Sequence, residues 1–292
     1  MDDMEQEREL ASVPDRSSGW VGWSGVLEAY PLRSHRGEEA QCLQLSVAPS
    51  TACGPLAHLH AGSVWNGAIR LAQLIEGGFL RKRLAGKIVL ELGAAAALPS
   101  LVLMSSAGLS AEAVLEREVP AGVVLSDYDS PELVKNLEDN VRRNSHVLLE
   151  DFRLPPEGHQ NTSRLRIVGH TWGESVAGLV DALQSLREQA GFDAILLGDC
   201  MWRAEAHADL LKSLHSLLLP GGEVWMAYGH HWPGHEEVDR GFFEAASQLG
   251  FVHEEVTAVS RVVMSSIFEG EPQPLFVYRL TMSGKSPDVH GD

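Results

Sequence analysis

A chain of 292 residues, 44% hydrophobic and 22% charged, suits one large α/β domain with trimmings, or at most two small domains, and can bury a full core. Its formal net charge of -17 argues against a nucleic-acid backbone as partner, because such binding needs a concentrated positive surface. Three cysteines without CxxC spacing, Cys42, Cys53 and Cys200, exclude a disulfide framework and suit a reducing compartment. The acidic N-terminus Met1-Asp-Asp-Met-Glu-Gln-Glu lacks a signal-peptide pattern, and no run approaches the roughly 18–20 apolar residues that span a bilayer. A soluble, cytoplasmic chain without membrane or nucleic-acid partners is expected.

Residues 1–18 read as a flexible acidic tail and residues 19–63 as an N-terminal extension. Within the extension Cys42-Leu-Gln-Leu-Ser-Val47 alternates like a strand, and Pro31, Pro49 and Pro55 break the remainder into short pieces. Residues 64–76 carry apolar side chains at helical spacing and stop at Gly77-Gly78. From there short apolar runs alternate with longer helical patterns, the signature of a parallel α/β sheet. The predicted strands are Lys87–Gly93, Gly122–Asp127, Arg164–Val168, Phe192–Asp199 and Gly222–Tyr228, the last opened by a Pro220-Gly221-Gly222 turn. Helices are expected from Leu98 to Ser106, from Ser130-Pro131 onward, after Asp199 to about Leu219, and over Glu236–Leu249. Ser130 is placed to cap its helix, and proline suits the first helical position. Two late strands, Val252–Val263 and Pro274–Thr281, close the pattern, while Ser110–Val119 and Phe152–Ser163 read as surface excursions.

In an open parallel sheet, ligands sit beyond the carboxyl ends of the strands. The first strand ends in Glu91-Leu-Gly93 and the second in Ser126-Asp127-Tyr128-Asp129. Gly93 permits close backbone approach, the next helix N-terminus offers N–H groups to a carboxylate, and Asp127 is placed to take two ribose hydroxyls. Nicotinamide cofactors use the same acid, so the glycines must discriminate. Gly93-Ala-Ala-Ala-Ala-Leu-Pro lacks the second glycine of G-x-G-x-x-G, which makes room for a pyrophosphate. A ligand without phosphates, such as S-adenosyl-L-methionine, fits better. Taken alone, the segment also reads as a structural strand-to-helix turn.

Val64-Trp-Asn-Gly-Ala68, the run from Val89 through Leu-Gly-Ala-Ala-Ala-Ala-Leu-Pro-Ser to Leu101, and Leu125-Ser-Asp-Tyr-Asp-Ser-Pro-Glu-Leu133 carry a resemblance. They resemble the family 16 seven-strand S-adenosylmethionine-dependent methyltransferases. Nearest is a fungal group, formerly labelled nicotinamide N-methyltransferases, with a member that methylates the N-terminus and adjacent lysine of translation elongation factor 1-alpha. The resemblance runs from about residue 40 to 282. It implies a Rossmann-like α/β sheet of seven strands, mostly parallel with an antiparallel last strand and helices on both faces. The methyltransferase domain would span residues 64–282, with the N-terminal extension packed on it and residues 283–292 a flexible tail.

The resemblance implies that Trp65 lies beside the cofactor, and that Glu91, Gly93, Ala94 and Ala95 form the first cofactor loop. It makes Asp127, followed by Tyr128, the ribose acid, sets Trp172 against the adenine, and has Gly198-Asp199 open the motif after the fourth strand. The group has a tyrosine three residues beyond that acid. Here Trp202 stands there, so an aromatic wall survives but a hydroxyl does not. Asn140 matches a family asparagine, either a cap or a cofactor contact. Trp172 also reads as core packing. Asp199 also reads as a cap of the following helix.

Asp199, Trp202, Tyr228 and His230 are the candidate catalytic residues bordering an amine channel. Tyr228-Gly-His-His-Trp-Pro-Gly-His235 invites a metal reading, but adjacent histidines diverge and no Cys/Asp/Glu set has a recognised spacing with them. No metal is expected there; a substrate-side loop is. His58 and His60 read as structural, and without G-x-S-x-G hydrolase chemistry is set aside. The expectation is a monomer acting on a protein amine, with elongation factor 1-alpha as candidate. A small amine such as nicotinamide, or a non-catalytic scaffold, are the alternatives.

Overall fold

The computed structural model describes residues 28–32, 41–48, 59, 63–106, 109, 118–156, 158–230, 236–264 and 273–282. The expected tails, Cys53, His58, His60, His231, His235 and most of the Ser110–Val119 excursion lie outside these residues.

Strands β1 (Glu28–Pro31) and β2 (Cys42–Leu45) pair antiparallel, ahead of helices α1 (Asn66–Glu76) and α2 (Phe79–Leu84). Gly77 and Gly78 separate the two helices: the Gly77 N–H closes α1 on Gln73 O, and Gly78 (φ 84°) turns the chain into α2. Then follow β3 (Ile88–Leu92), α3 (Leu98–Met104), β4 (Gly122–Asp127), α4 (Pro131–Arg143), β5 (Leu165–Gly169) and α5 (Ala177–Gln184). The chain continues through β6 (Phe192–Gly198), α6 (His207–Leu217), β7 (Leu218–Gly229), α7 (Glu236–Gln248), β8 (Phe251–Glu255), β9 (Val262–Met264) and β10 (Gln273–Met282).

The sheet order is β5-β4-β3-β6-β7-β10-β8, with β9 on β10. Strands β3 to β7 run parallel, and β10 is antiparallel to β7, β8 and β9. Every residue of β3 and β4 is buried, as a parallel strand with helices on both faces requires. Alternate residues feed two cores. Val89, Val123, Leu125 and Leu196 meet α1, α3 and the β1–β2 hairpin, whereas Leu90, Val124, Ile195 and Met226 meet α5, α6 and α7. Because the chain winds outward from β3 to β5 and then returns to β6 on the other side, the strand order reverses between β3 and β6. That reversal opens a crevice at their carboxyl ends.

The seven-strand, mostly parallel sheet with its antiparallel last strand appears as expected, and among the described residues the three-residue β9 adds a short pairing on β10. Residues 256–261 interrupt the predicted Val252–Val263 strand and divide it into β8 and β9. Strand β7 starts at Leu218: Phe192 pairs with Leu218 and Ala194 with Glu223, so Pro220-Gly221-Gly222 bulges within the strand instead of preceding it. Ser130 occupies the N-cap of α4, yet its side chain makes no capping hydrogen bond; Pro131 opens the helix as expected. The short helices α2 and α5 were not anticipated. Among the described residues, no helix is long and apolar enough to cross a membrane.

Candidate functional site

A cavity of about 390 Å³ opens at the carboxyl ends of β3, β4 and β6. Its floor is the turn after β3, where Gly93 (φ 71°), Ala95 (φ 47°) and Ala97 (φ 60°) are all left-handed. Alanine in that region costs roughly 1–2 kcal/mol per residue, so surrounding bonds must hold it. Ala94 N–H donates to Ser126 O (2.9 Å), Ala97 N–H to Ala94 O (2.6 Å) and Ala95 N–H to Asp127 Oδ2 (2.6 Å). Gly93 is required twice over. Its backbone is left-handed, and a Cβ there would stand 3.0 Å from Cys200 Sγ and 3.1 Å from the Trp172 ring.

Asp127, at the end of β4, also accepts Tyr128 N–H at 2.7 Å on Oδ1. Burial raises its carboxyl pKa, against the lowering by these two backbone bonds. Glu91 is only 3% exposed and accepts Ser100 N–H at 2.9 Å. Burial pushes its carboxyl up to about 7; the Asp127 charge adds to this and the Ser100 bonds oppose it. This corrects the expectation that the α3 N-terminus offers its N–H groups to a ligand carboxylate, since Ser100 N–H is held by Glu91. The helix is only seven residues long.

The far wall follows β5. His170 Nε2 and Gly173 N–H both meet Ser213 Oγ, at 3.0 and 2.9 Å, tying the loop that carries Trp172 to α6. Burial lowers the His170 pKa.

The third wall is Asp199, left-handed at φ 55°. Its Oδ2 accepts Gly67 N–H in the first turn of α1, and its Oδ1 accepts Gly229 N–H at 3.1 Å. Its own N–H donates to Ala227 O at 2.8 Å. The carboxylate thus joins the start of α1 to the end of β7, and the side chain also lines the cavity. Of the two readings left open by the sequence, the pocket-facing one matches this placement. The helix it caps is α1, far earlier in the chain, not the one that follows. Close approach depends on Gly67, whose added Cβ would crowd Ala227 O and stand 2.6 Å from Asp199 N.

Trp65, Glu91, Gly93, Ala94, Ala95, Asp127, Tyr128, Trp172 and Gly198 all line the cavity, as do Asp199 and Trp202. Tyr228 and His230 are not among the lining residues, which corrects their placement at an amine channel. Tyr228 is 3% exposed and packs against the rings of Phe243, Phe276 and Tyr278, while His230 Nδ1 pairs with Asp239 Oδ2 at 2.6 Å. Asn140 neither caps its helix nor lines the cavity; its amide binds Ser46 behind the β3 turn. Sequence reasoning missed Ala68, His170, Cys200, Glu205 and Asp209. His170 and Cys200 adjoin recognised positions, whereas Glu205 and Asp209 reach the mouth only because a 3-10 turn (Ala204–Ala206) leads into α6.

Among the described lining residues, Glu91, Asp127, Asp199, Glu205 and Asp209 face the cavity with Arg203 as the sole lysine or arginine. A phosphate-bearing ligand would meet repulsion there; a neutral or cationic one would not.

The family pattern described as lysine methyltransferase matches residues 57–249. A protein N-terminal and lysine N-methyltransferase of Eremothecium gossypii is 32% identical over 224 residues, 75% of this chain and 74% of that protein. Proteins of the same description from Gibberella zeae and Schizosaccharomyces pombe are each 30% identical. The first alignment covers 75% of this chain and 76% of the relative, the second 74% of each. Among solved structures, a methyltransferase from Pyrococcus furiosus aligns with TM-score 0.41 and 16% identity over 72% of this chain and 82% of that one. The glycopeptide N-methyltransferase MtfA complexed with sinefungin aligns with TM-score 0.42 and 11% identity over 74% and 94%.

Proposed function

Because the chain belongs to the lysine methyltransferase family, we propose that it transfers a methyl group from S-adenosyl-L-methionine to a protein amine, a lysine or an N-terminal amine. Translation elongation factor 1-alpha, to which the sequence resemblance points, is the candidate substrate. The observation that carries the cofactor reading is Asp127, held by two backbone N–H groups beside a glycine turn, in a cavity whose charged lining is mostly carboxylate.

S-adenosyl-L-methionine supplies a methyl group on a sulfonium, already activated for in-line displacement. The protein's contribution is alignment and exclusion of water. In this reading Asp127 takes the ribose hydroxyls: each of its oxygens already accepts one N–H, which fixes its orientation and leaves lone pairs for hydroxyl donors. Trp172, close against Gly93, offers its ring to the adenine, and Trp65 and Trp202 line the remainder. Asp199 orients an incoming amine: each of its oxygens accepts one backbone N–H, from Gly67 and Gly229, and keeps a lone pair for the amine. The amine must arrive neutral; desolvation lowers its pKa, whereas the lining carboxylates raise it. A monomeric, cytoplasmic enzyme accords with this reading.

The test is incubation of the purified chain with isotopically labelled cofactor, first with elongation factor 1-alpha and then with whole-cell lysate. A discrete labelled protein supports the reading, and labelling confined to a small molecule redirects it to a small amine. Failure to bind S-adenosylhomocysteine in calorimetry would reduce the chain to a scaffold. Unchanged turnover and substrate affinity in Asp199→Ala would remove Asp199 from the proposal.

A further inference from the structure

Three buried asparagines, Asn136 and Asn140 of α4 and Asn144 at its C-cap, stand four residues apart and meet the chain at Gln44 and Ser46. Four residues of helix rise about 6 Å, and two residues of strand advance about 6.6–6.8 Å, so the two repeats stay in step. A primary amide offers one acceptor and a pair of donors, and so can stand in for the peptide of a neighbouring strand. Asn144 Oδ1 accepts Gln44 N–H at 2.8 Å and its Nδ2 donates to Gln44 O at 2.8 Å. Asn140 repeats this on Ser46, accepting its N–H at 2.9 Å and donating to its carbonyl at 2.8 Å. The segment carrying β2 is therefore docked through side chains that imitate a sheet partner.

The second amide hydrogens reveal a different task. Asn140 Nδ2 also donates to Ala96 O at 3.3 Å, and Asn136 Nδ2 donates both to Ser46 O at 3.0 Å and to Ala95 O at 3.4 Å. Each of these two amides thus forks between Ser46 O and a carbonyl of the turn on the cavity floor. The carbonyls face α4, while the Ala95 N–H faces Asp127 across the same turn. Asn144, at the C-cap of α4, makes the same docking contact with the strand but donates its second hydrogen to Asn140 O in the last turn of that helix. Docking and turn support are therefore separable along one row of identical residues.

We propose that Asn136 and Asn140 are positioning residues for the cofactor turn, coupling the β1–β2 hairpin to the left-handed Ala95–Ala97 backbone. The proposal rests on reading the cavity as the S-adenosyl-L-methionine site. The two forks keep Ala95 O and Ala96 O turned away from the cavity, and the turn keeps a conformation that alanine otherwise avoids. Asn140→Asp keeps the acceptor for Ser46 N–H but loses the donors to Ser46 O and Ala96 O. Asn144→Asp makes the same chemical change against Gln44 without touching the turn.

The test compares S-adenosylhomocysteine affinity by calorimetry, cofactor KM and kcat in the full-length protein. Asn140→Asp is expected to weaken affinity and raise cofactor KM by about five- to tenfold, the scale of one or two neutral hydrogen bonds, with kcat at saturation within about twofold. Asn144→Asp should lower thermal stability while holding affinity within about twofold of wild type. Asn136→Ala, at the end of the row, covers the case in which Asn140→Asp does not fold, and should weaken affinity about three- to fivefold. Wild-type affinity in the Asn140 and Asn136 variants, or an equal loss in Asn144→Asp, overturns the inference while leaving the cofactor reading intact. Absence of binding by the wild-type protein overturns that reading and the inference with it.

Discussion

Replacing Glu91 with glutamine isolates the electrostatic cost of burying a carboxylate in the cavity floor. In the folded chain its carboxyl is lifted from 4.5 to about 7, chiefly by burial. The folded state therefore binds this proton more tightly than the unfolded state does. Its stabilising contribution is complete below about pH 4.5 and is lost as pH rises through about 7. At ~1.4 kcal/mol per pH decade, that interval corresponds to about 3 kcal/mol. Glutamine keeps a carbonyl oxygen for Ser100 N–H and removes the charge; finding an acceptor for its amide hydrogens costs back about 1 kcal/mol. Urea denaturation without cofactor at pH 5 and pH 8 measures the difference between the two proteins, in which the other titrating groups largely cancel. The Glu91→Gln chain should be the more stable at pH 8 by about 1–3 kcal/mol, and should lose that advantage near pH 5. A stability difference that stays constant from pH 5 to 8 would refute the reasoning.

Gly67→Ala places a Cβ against Ala227 O and 2.6 Å from Asp199 N, so α1 must back away from β7. A loss of about 1–3 kcal/mol in denaturation, with weakened cofactor binding, is expected, and wild-type values for both would show the approach to be dispensable. Asp127→Asn leaves one of two buried N–H groups facing an amide donor, so S-adenosylhomocysteine affinity measured by calorimetry should fall about tenfold or more, and an unchanged affinity would take Asp127 out of the site. Tyr228→Phe should keep turnover within about twofold, because the ring packs against Phe243, Phe276 and Tyr278; a tenfold fall would place the hydroxyl at the chemistry after all.

The parallel strands were legible because their burial is near complete: runs such as Ile88–Leu92 and Gly122–Asp127 leave no polar face to confuse the reading. The turn between them was legible for a local reason, since Gly93 and Asp127 are each demanded by their own strand end. What stayed hidden is non-local. Asn136, Asn140 and Asn144 are visible at i, i+4 spacing, but Ser46, to which Asn140 binds, lies 94 residues away. The carboxylate of Asp199 serves a helix 132 residues earlier, so local capping rules point to the wrong helix. For Tyr228, period-two alternation separates its face from that of Ala227 but does not reveal which side opens on a cavity. The six-residue α2, Phe79–Leu84, is too short to show a helical period.

If the cavity takes the cationic cofactor proposed for it, a carboxyl that titrates near neutrality there should report that cation's arrival by releasing a proton. At pH 7 the buried Glu91 is about half protonated. A sulfonium has no proton to exchange, so a positive charge bound among Glu91, Asp127 and Asp199 favours ionised Glu91 and expels up to about half a proton at pH 7. S-adenosylhomocysteine shares the nucleoside and amino-acid parts but carries a neutral thioether, so it should expel less. Calorimetric titration in phosphate and in Tris separates the two, since the dependence of the observed heat on the buffer's ionisation enthalpy counts the protons released. S-adenosyl-L-methionine should gain affinity over S-adenosylhomocysteine between pH 6 and 8, and Glu91→Gln should abolish the difference in protons released. Equal proton release by the two ligands in the wild-type chain would sink the idea. The linkage also bears on catalysis. Fixed carboxylates that hold a cation before and after methyl transfer bind both states alike and add little to the rate, and they keep the substrate amine protonated.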